Sequence, residues 1–167
     1  MRLTVKELTP SAFGPYGQVI GAPGREPDGK GPGWRWWAET VVIPEVTAPY
    51  TVGYLELAPD KLRFDWAEYH LQSAEMIVPM GADCLVYVGP QSDEPSWSTF
   101  DVFRIRAGQG GLLDSGVWHG APLAVDRPTS AIVLLRQGTG EDDVYKAIRA
   151  DGPIEIVEDT HIATSGG

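Results

Sequence analysis

The chain has 167 residues, of which 43% are hydrophobic and 22% charged, and its formal net charge is −10. That length and mixture describe one ordinary globular domain, residues 1–167, with enough chain to bury a core unaided. The acidic balance argues against nucleic acid or an anionic membrane as a partner, and no apolar run approaches the ~18 residues that a membrane helix needs.

The first residues, Met1-Arg2-Leu3-Thr4-Val5-Lys6-Glu7, lack the apolar stretch of a secretory signal, so a cytoplasmic location is expected. Strands are expected over residues 4–8 and 17–20. Residues 21–33 are rich in Gly and Pro and read as a long loop, either a flap or a disordered insert. Trp34-Arg35-Trp36-Trp37 follows, an aromatic cluster suited to a pocket mouth or a subunit contact. Further strands are expected over 36–42, 52–57, 63–70, 75–78, 82–88, 100–106, 112–114, 117–119 and 130–136. Cys84 is the only cysteine, so no intrachain disulfide is possible, and its apolar neighbours mark it as a small buried hydrophobe.

Residues 142–149 read as a short helix, with Asp142 and Asp143 in its first turn and Arg149 in its last. His161 reads as a surface residue and the 163–167 tail as frayed. Many short strands bounded by Gly and Pro predict an all-β sandwich or barrel with little helix. The pattern alone does not choose among such architectures.

The most informative chemistry lies in Glu68-Tyr69-His70, then Glu75, then His119 within Leu113-Asp114-Ser115-Gly116-Val117-Trp118-His119-Gly120. Residues two apart on a strand share a face, so Glu68 and His70 project together. A short turn after His70 can return Glu75 to that face. Mixed carboxylates and imidazoles suit one divalent transition metal (Ni, Mn, Zn or Fe) better than Ca or Mg, which prefer oxygen shells. The plainer alternative is a hydrogen-bonded cluster with no metal.

The order Glu-x-His-x4-Glu followed by Gly116-x-x-His119 resembles the two metal motifs of the cupin superfamily. Glu68 stands where the first His is usual, and Asp114 where a Pro is usual. Within that superfamily the chain resembles the ureidoglycolate lyase family. The likeness rests on Phe13-Gly14-Pro15-Tyr16-Gly17-Gln18-Val19-Ile20, Glu68-Tyr69-His70, Ile77-Val78-Pro79-Met80 and Val117-Trp118-His119. The resemblance implies a cupin-type antiparallel jelly-roll barrel and a metal held by Glu68, His70, Glu75 and His119. It also departs from the family near the second motif, where Leu113-Asp114 replaces Tyr-His and Gly120-Ala121 replaces His-Pro.

The resemblance further implies a lyase that splits ureidoglycolate, a small anionic substrate, into glyoxylate and urea. Arg136, at the end of an apolar run, is then a fork for the substrate carboxylate, or else a surface ion pair. Arg35 and Trp118 are further substrate contacts, with core packing the alternative for Trp118. Asp114 and Glu75 are candidates for proton transfer, and Asp114 is otherwise a second contact to His119 or a plain turn residue. A lyase or isomerase acting on another hydroxy or oxo acid, an Fe(II) dioxygenase and a non-catalytic binding cupin use the same frame. A homodimer is expected, built on the aromatic cluster and the apolar N-terminal strand.

Overall fold

The computed structural model describes residues 1–44 and 47–158, so His161 and the 163–167 tail lie outside the described residues. The chain opens with β1 (Arg2–Glu7), the one-turn helix α1 (Pro10–Phe13) and β2 (Gly17–Ile20). The Thr9 hydroxyl caps α1 by accepting the Ala12 N–H at 3.2 Å. β3 (Gly29–Gly31) and β4 (Trp34–Trp36) form a separate hairpin. Then come β5 (Tyr50–Leu57), β6 (Arg63–Phe64), β7 (Trp66–Tyr69), β8 (Glu75–Pro79) and β9 (Cys84–Gly89). β10 (Asp101–Ile105), β11 (Gly110–Leu113), β12 (Trp118–His119), β13 (Leu123–Ala124) and β14 (Thr129–Arg136) continue the pattern. The helical turn α2 (Thr139–Asp142), β15 (Tyr145–Ile148) and β16 (Ile154–Val157) complete it.

The strands make two curled layers of the cupin type. The larger runs β15-β7-β12-β9-β10-β1-β16-β6, with β13 also on β9; the smaller runs β2-β11-β8-β14-β5. Pairing is antiparallel except that β1 runs parallel to both β10 and β16. β1 therefore has neighbours on both edges and offers no free edge to a second copy.

Period-two alternation divides the larger sheet into an inner and an outer face. Cys84, Val86 and Val88 of β9 turn inward to Phe13, Ile77, Phe103 and Leu113, between the layers. Leu85 and Tyr87 turn outward to Phe64, Phe100, Trp118 and Ile154. With apolar groups against both faces, β9 is buried throughout, which is why its sequence is an unbroken apolar run. Phe64 stacks on Tyr87 with ring centroids 3.8 Å apart, anchoring the outer cluster.

Four expectations are corrected. Residues 36–42 are not a strand and 21–33 are not structureless. Arg25 grips Asp28 with two contacts of 2.9 Å, Asp28 accepts the Ala38 N–H at 2.8 Å, and the β3–β4 hairpin forms between them. The strand over 63–70 is broken into β6 and β7, which pair with different partners, β16 and β15. Within residues 142–149 only Asp142 is helical, as the end of α2, and 145–148 form strand β15. Tyr145 stacks on Tyr69 at 4.8 Å and Lys146 lies over the Trp66 ring at 4.0 Å, so pairing along the open edge of β7 outweighs the helix-like charge pattern.

Candidate metal centre

Strand pairing assembles the centre. His119 of β12 stands directly opposite Glu68 of β7, and alternation places His70 on the same inner face. Gly116 ties the two segments together by donating its N–H to the His70 carbonyl at 2.6 Å. It does so in a left-handed conformation, φ 82°, which favours glycine and explains that residue in the Gly-x-x-His spacing. Glu75 arrives from the smaller sheet on β8, where Leu113 of β11 pairs with it.

His70 and His119 are buried, and each ring is fixed through one nitrogen. His70 Nδ1 lies 2.7 Å from the Asp143 carbonyl, and His119 Nδ1 lies 2.8 Å from the Val117 carbonyl. Carbonyls only accept, so both Nδ1 atoms carry the proton and both Nε2 atoms face the centre. Ligand atoms of Glu68, His70 and His119 all lie within 4.8 Å of one another. Glu75 is outside that trio, but its Oε2 is 2.9 Å from His119 Nε2 and 3.4 Å from His70 Nε2.

Burial alone pushes the Glu75 carboxyl up, yet the facing His119 and His70 imidazoles outweigh it and hold it well below the usual carboxylate range. Burial likewise pushes His119 down, and Glu75 more than reverses that. Two carbonyl-oriented imidazoles beside two carboxylates are the donor chemistry of a divalent transition metal. The residues present fit such an ion, with Glu68, His70 and His119 as its holders and Glu75 beside them.

The centre opens into a cavity of about 300 Å³ whose lining includes all four of these residues. The other expected site residues are elsewhere, and each for a visible reason. Asp114 is exposed in the turn before Gly116, where its carbonyl accepts the Val117 N–H at 3.3 Å; its side chain is not part of the cavity wall. Arg136 is buried but ion-paired with Asp142, and it donates to the Gln137 carbonyl at 3.0 Å. Its guanidinium braces α2 and does not line the cavity. Arg35 is exposed on the hairpin, 5.3 Å from the Trp37 ring. Trp118 alternates away from His119 into the outer core, meets Tyr69 edge-on at 4.6 Å and donates to the Ser92 carbonyl at 3.1 Å.

Sequence reasoning missed Asp143. Its carboxylate accepts the Leu71 and Gln72 N–H groups at 2.9 and 2.8 Å, while its carbonyl orients His70. Only its acidity was visible in sequence, and that pointed to a helix N-terminus.

The family model of ureidoglycolate lyase matches residues 1–156. The chain belongs to the ureidoglycolate lyase family. It is similar to the ureidoglycolate lyase of Pseudomonas syringae pathovar tomato, with 28% identity over 146 residues, 84% of this chain and 86% of that one. It is also similar to that of Stutzerimonas stutzeri, with 29% identity over 146 residues and the same coverage. Among solved structures, the oxalate decarboxylase of Lactobacillus farciminis in its formate complex aligns at a TM-score of 0.41 and 18% identity, over 53% of this chain and 24% of that one. The ureidoglycolate lyase family thus supplies an enzyme class, and the centre supplies groups for the chemistry. The departure at position 120 also has a structural cause in this family member. A Cβ at Gly120 would lie 1.7 Å from the Tyr87 hydroxyl, so the outer core leaves no room for a side chain there.

Proposed function

We propose that this protein is a metal-dependent carbon–nitrogen lyase acting on ureidoglycolate-type substrates, in which one carbon bears a hydroxyl, a carboxylate and an acylated nitrogen. The observation that carries the reading is the convergence of Glu68, His70 and His119 on one cavity, in a chain of this family. A divalent ion held there supplies Lewis acidity, making the substrate hydroxyl more acidic and offsetting carboxylate charge. In this reading Glu75, beside the trio, takes the hydroxyl proton and returns it to the departing nitrogen. As that proton leaves, the carbonyl of glyoxylate forms and the carbon–nitrogen bond breaks. The nitrogen leaves protonated, as urea when ureidoglycolate is the substrate.

Among the described residues no Lys or Arg lines the cavity, so a divalent ion held by Glu68, His70 and His119, rather than Arg136, would supply the positive charge that offsets the substrate carboxylate. Glyoxylate release from ureidoglycolate tests the reading, using protein purified without a chelating column. Activity that a chelator removes and an added divalent ion restores is expected; undiminished activity after complete metal removal contradicts it. Assembly as a cytoplasmic homodimer belongs to the same proposal. The long edge strand β5, with Val52 and Tyr54 exposed, is a more suitable contact than the doubly paired β1. Light scattering at micromolar concentration, with a dimer mass expected and a monomer mass contradictory, tests that part.

A further inference from the structure

The wall that faces the centre is aliphatic. Val133 and Leu135 of β14 point to the inner face with Ala131, and Leu55 of β5 joins them across the β5–β14 pairing. Ala121, Pro122 and Val144 continue the wall beyond His119. Outside the Glu–His cluster, two of the described lining residues have polar side chains. Tyr54 is 63% exposed, on the face of β5 opposite to Leu55. The Thr139 hydroxyl is buried and has no hydrogen-bond partner. Lys146 stands opposite Glu68 in register, but its ammonium lies over the Trp66 ring.

Such a wall is a poor match for the terminal amino group of a ureido substituent. Two further N–H donors would be buried against Leu and Val side chains, and donors buried without partners are unfavourable. A single hydroxyl can serve the one carbonyl that ureido and acyl groups share. Away from that hydroxyl and the cluster, the side chains of the wall are mainly aliphatic. The cavity, about 300 Å³, also leaves room beyond the small frame of ureidoglycolate.

We propose that this cavity selects N-acylated α-hydroxyglycines whose acyl group is a short aliphatic chain, in preference to ureidoglycolate. This rests on the lyase reading above and refines its substrate. The bond changes are the same: the hydroxyl proton leaves, the carbon–oxygen double bond of glyoxylate forms, and the carbon–nitrogen bond breaks with its electron pair on nitrogen. The nitrogen takes up a proton and departs as a carboxamide in place of urea. Nothing is oxidised or reduced, and no further reactant is needed.

The test measures glyoxylate release by the full chain, loaded with a divalent ion, from ureidoglycolate, N-acetyl-α-hydroxyglycine and N-butanoyl-α-hydroxyglycine. The proposal expects kcat/KM to rise about fourfold for each added methylene, the usual gain for moving one into apolar surroundings. Both acyl substrates should exceed ureidoglycolate. In Leu135→Asn that dependence on chain length should flatten. Ureidoglycolate cleaved as well as or better than the acyl compounds would overturn the proposal and leave the lyase reading standing. A wild-type response that does not change with chain length would also overturn it. Glyoxylate from none of the three would overturn both.

Discussion

The backbone carbonyl of Asp143 holds His70 Nδ1 at 2.7 Å, and the carboxylate of the same residue accepts the N–H groups of Leu71 and Gln72. One buried residue therefore orients an imidazole of the centre and pins the turn that carries the chain on toward Glu75. In Asp143→Asn the amide nitrogen faces a backbone donor, and one of the two N–H groups loses its acceptor. Loss of an outer contact of this kind typically weakens metal binding about 10–100-fold. Chelator competition should show that loss in a protein that still melts cooperatively. Unchanged metal affinity would mean that the carbonyl needs no help from the carboxylate.

The segment with Glu68 and His70 and the segment with His119 were readable because alternation on a strand and the Gly-x-x-His turn are local rules. The residues around them were not. Arg136 and Trp118 have side chains whose direction depends on partners distant in sequence, Asp142 and Ser92. For Trp118 the alternation that faces His119 inward also turns the indole outward. Asp143 was hidden for a similar reason: its role requires β15 to pair with β7, and the local charge pattern favoured a helix. The hairpin at residues 29–36 depends on Asp28 bonding to both Arg25 and Ala38, which composition does not disclose.

Trp118 gives a direct separation of packing from binding. Trp118→Phe keeps an aromatic ring against Tyr69 but loses the bonds to Ser92. A stability loss of about 1–3 kcal/mol is expected, from the smaller buried ring and the lost hydrogen bonds. KM for the substrate should not change. Thermal denaturation and steady-state kinetics on the same variant check both; a raised KM with an unaltered melting temperature would return Trp118 to the substrate site.

Position 120 tests whether the missing imidazole can simply be restored. Gly120→Ala brings a Cβ within 1.7 Å of the Tyr87 hydroxyl and 2.3 Å of its ring carbon, so overpacking should destabilise the fold by about 1–3 kcal/mol or more. Gly120→His should be worse. Adding Tyr87→Ala should recover part of the loss in Gly120→Ala relative to Tyr87→Ala alone, as a double-mutant cycle from denaturant melts would show. Additive losses would mean that the two side chains do not compete for the same space.

Alkaline pH should weaken the fold. Burial, with Asp83 nearby, pushes the Cys84 thiol from 9.0 to about 12, and burial with Asp101 moves the Tyr16 phenol from 10.0 to about 12. Both raised values favour the neutral form in the folded chain. Their contribution is complete below the ordinary values and falls as pH rises toward about 12. Denaturant midpoints should therefore decline across that interval, less steeply in Cys84→Ala after allowance for its lower starting stability. A midpoint independent of pH there would contradict the burial of both groups.

Metal content is the most direct test of the centre. Wild-type protein purified without a chelating column should retain about one divalent transition-metal ion per chain, the stoichiometry of a single Glu–His–His site. His119→Ala, confirmed as folded by its far-UV spectrum, should retain none and release no glyoxylate, while Glu68→Gln should bind the ion more weakly. Wild-type metal content in folded His119→Ala would contradict the account.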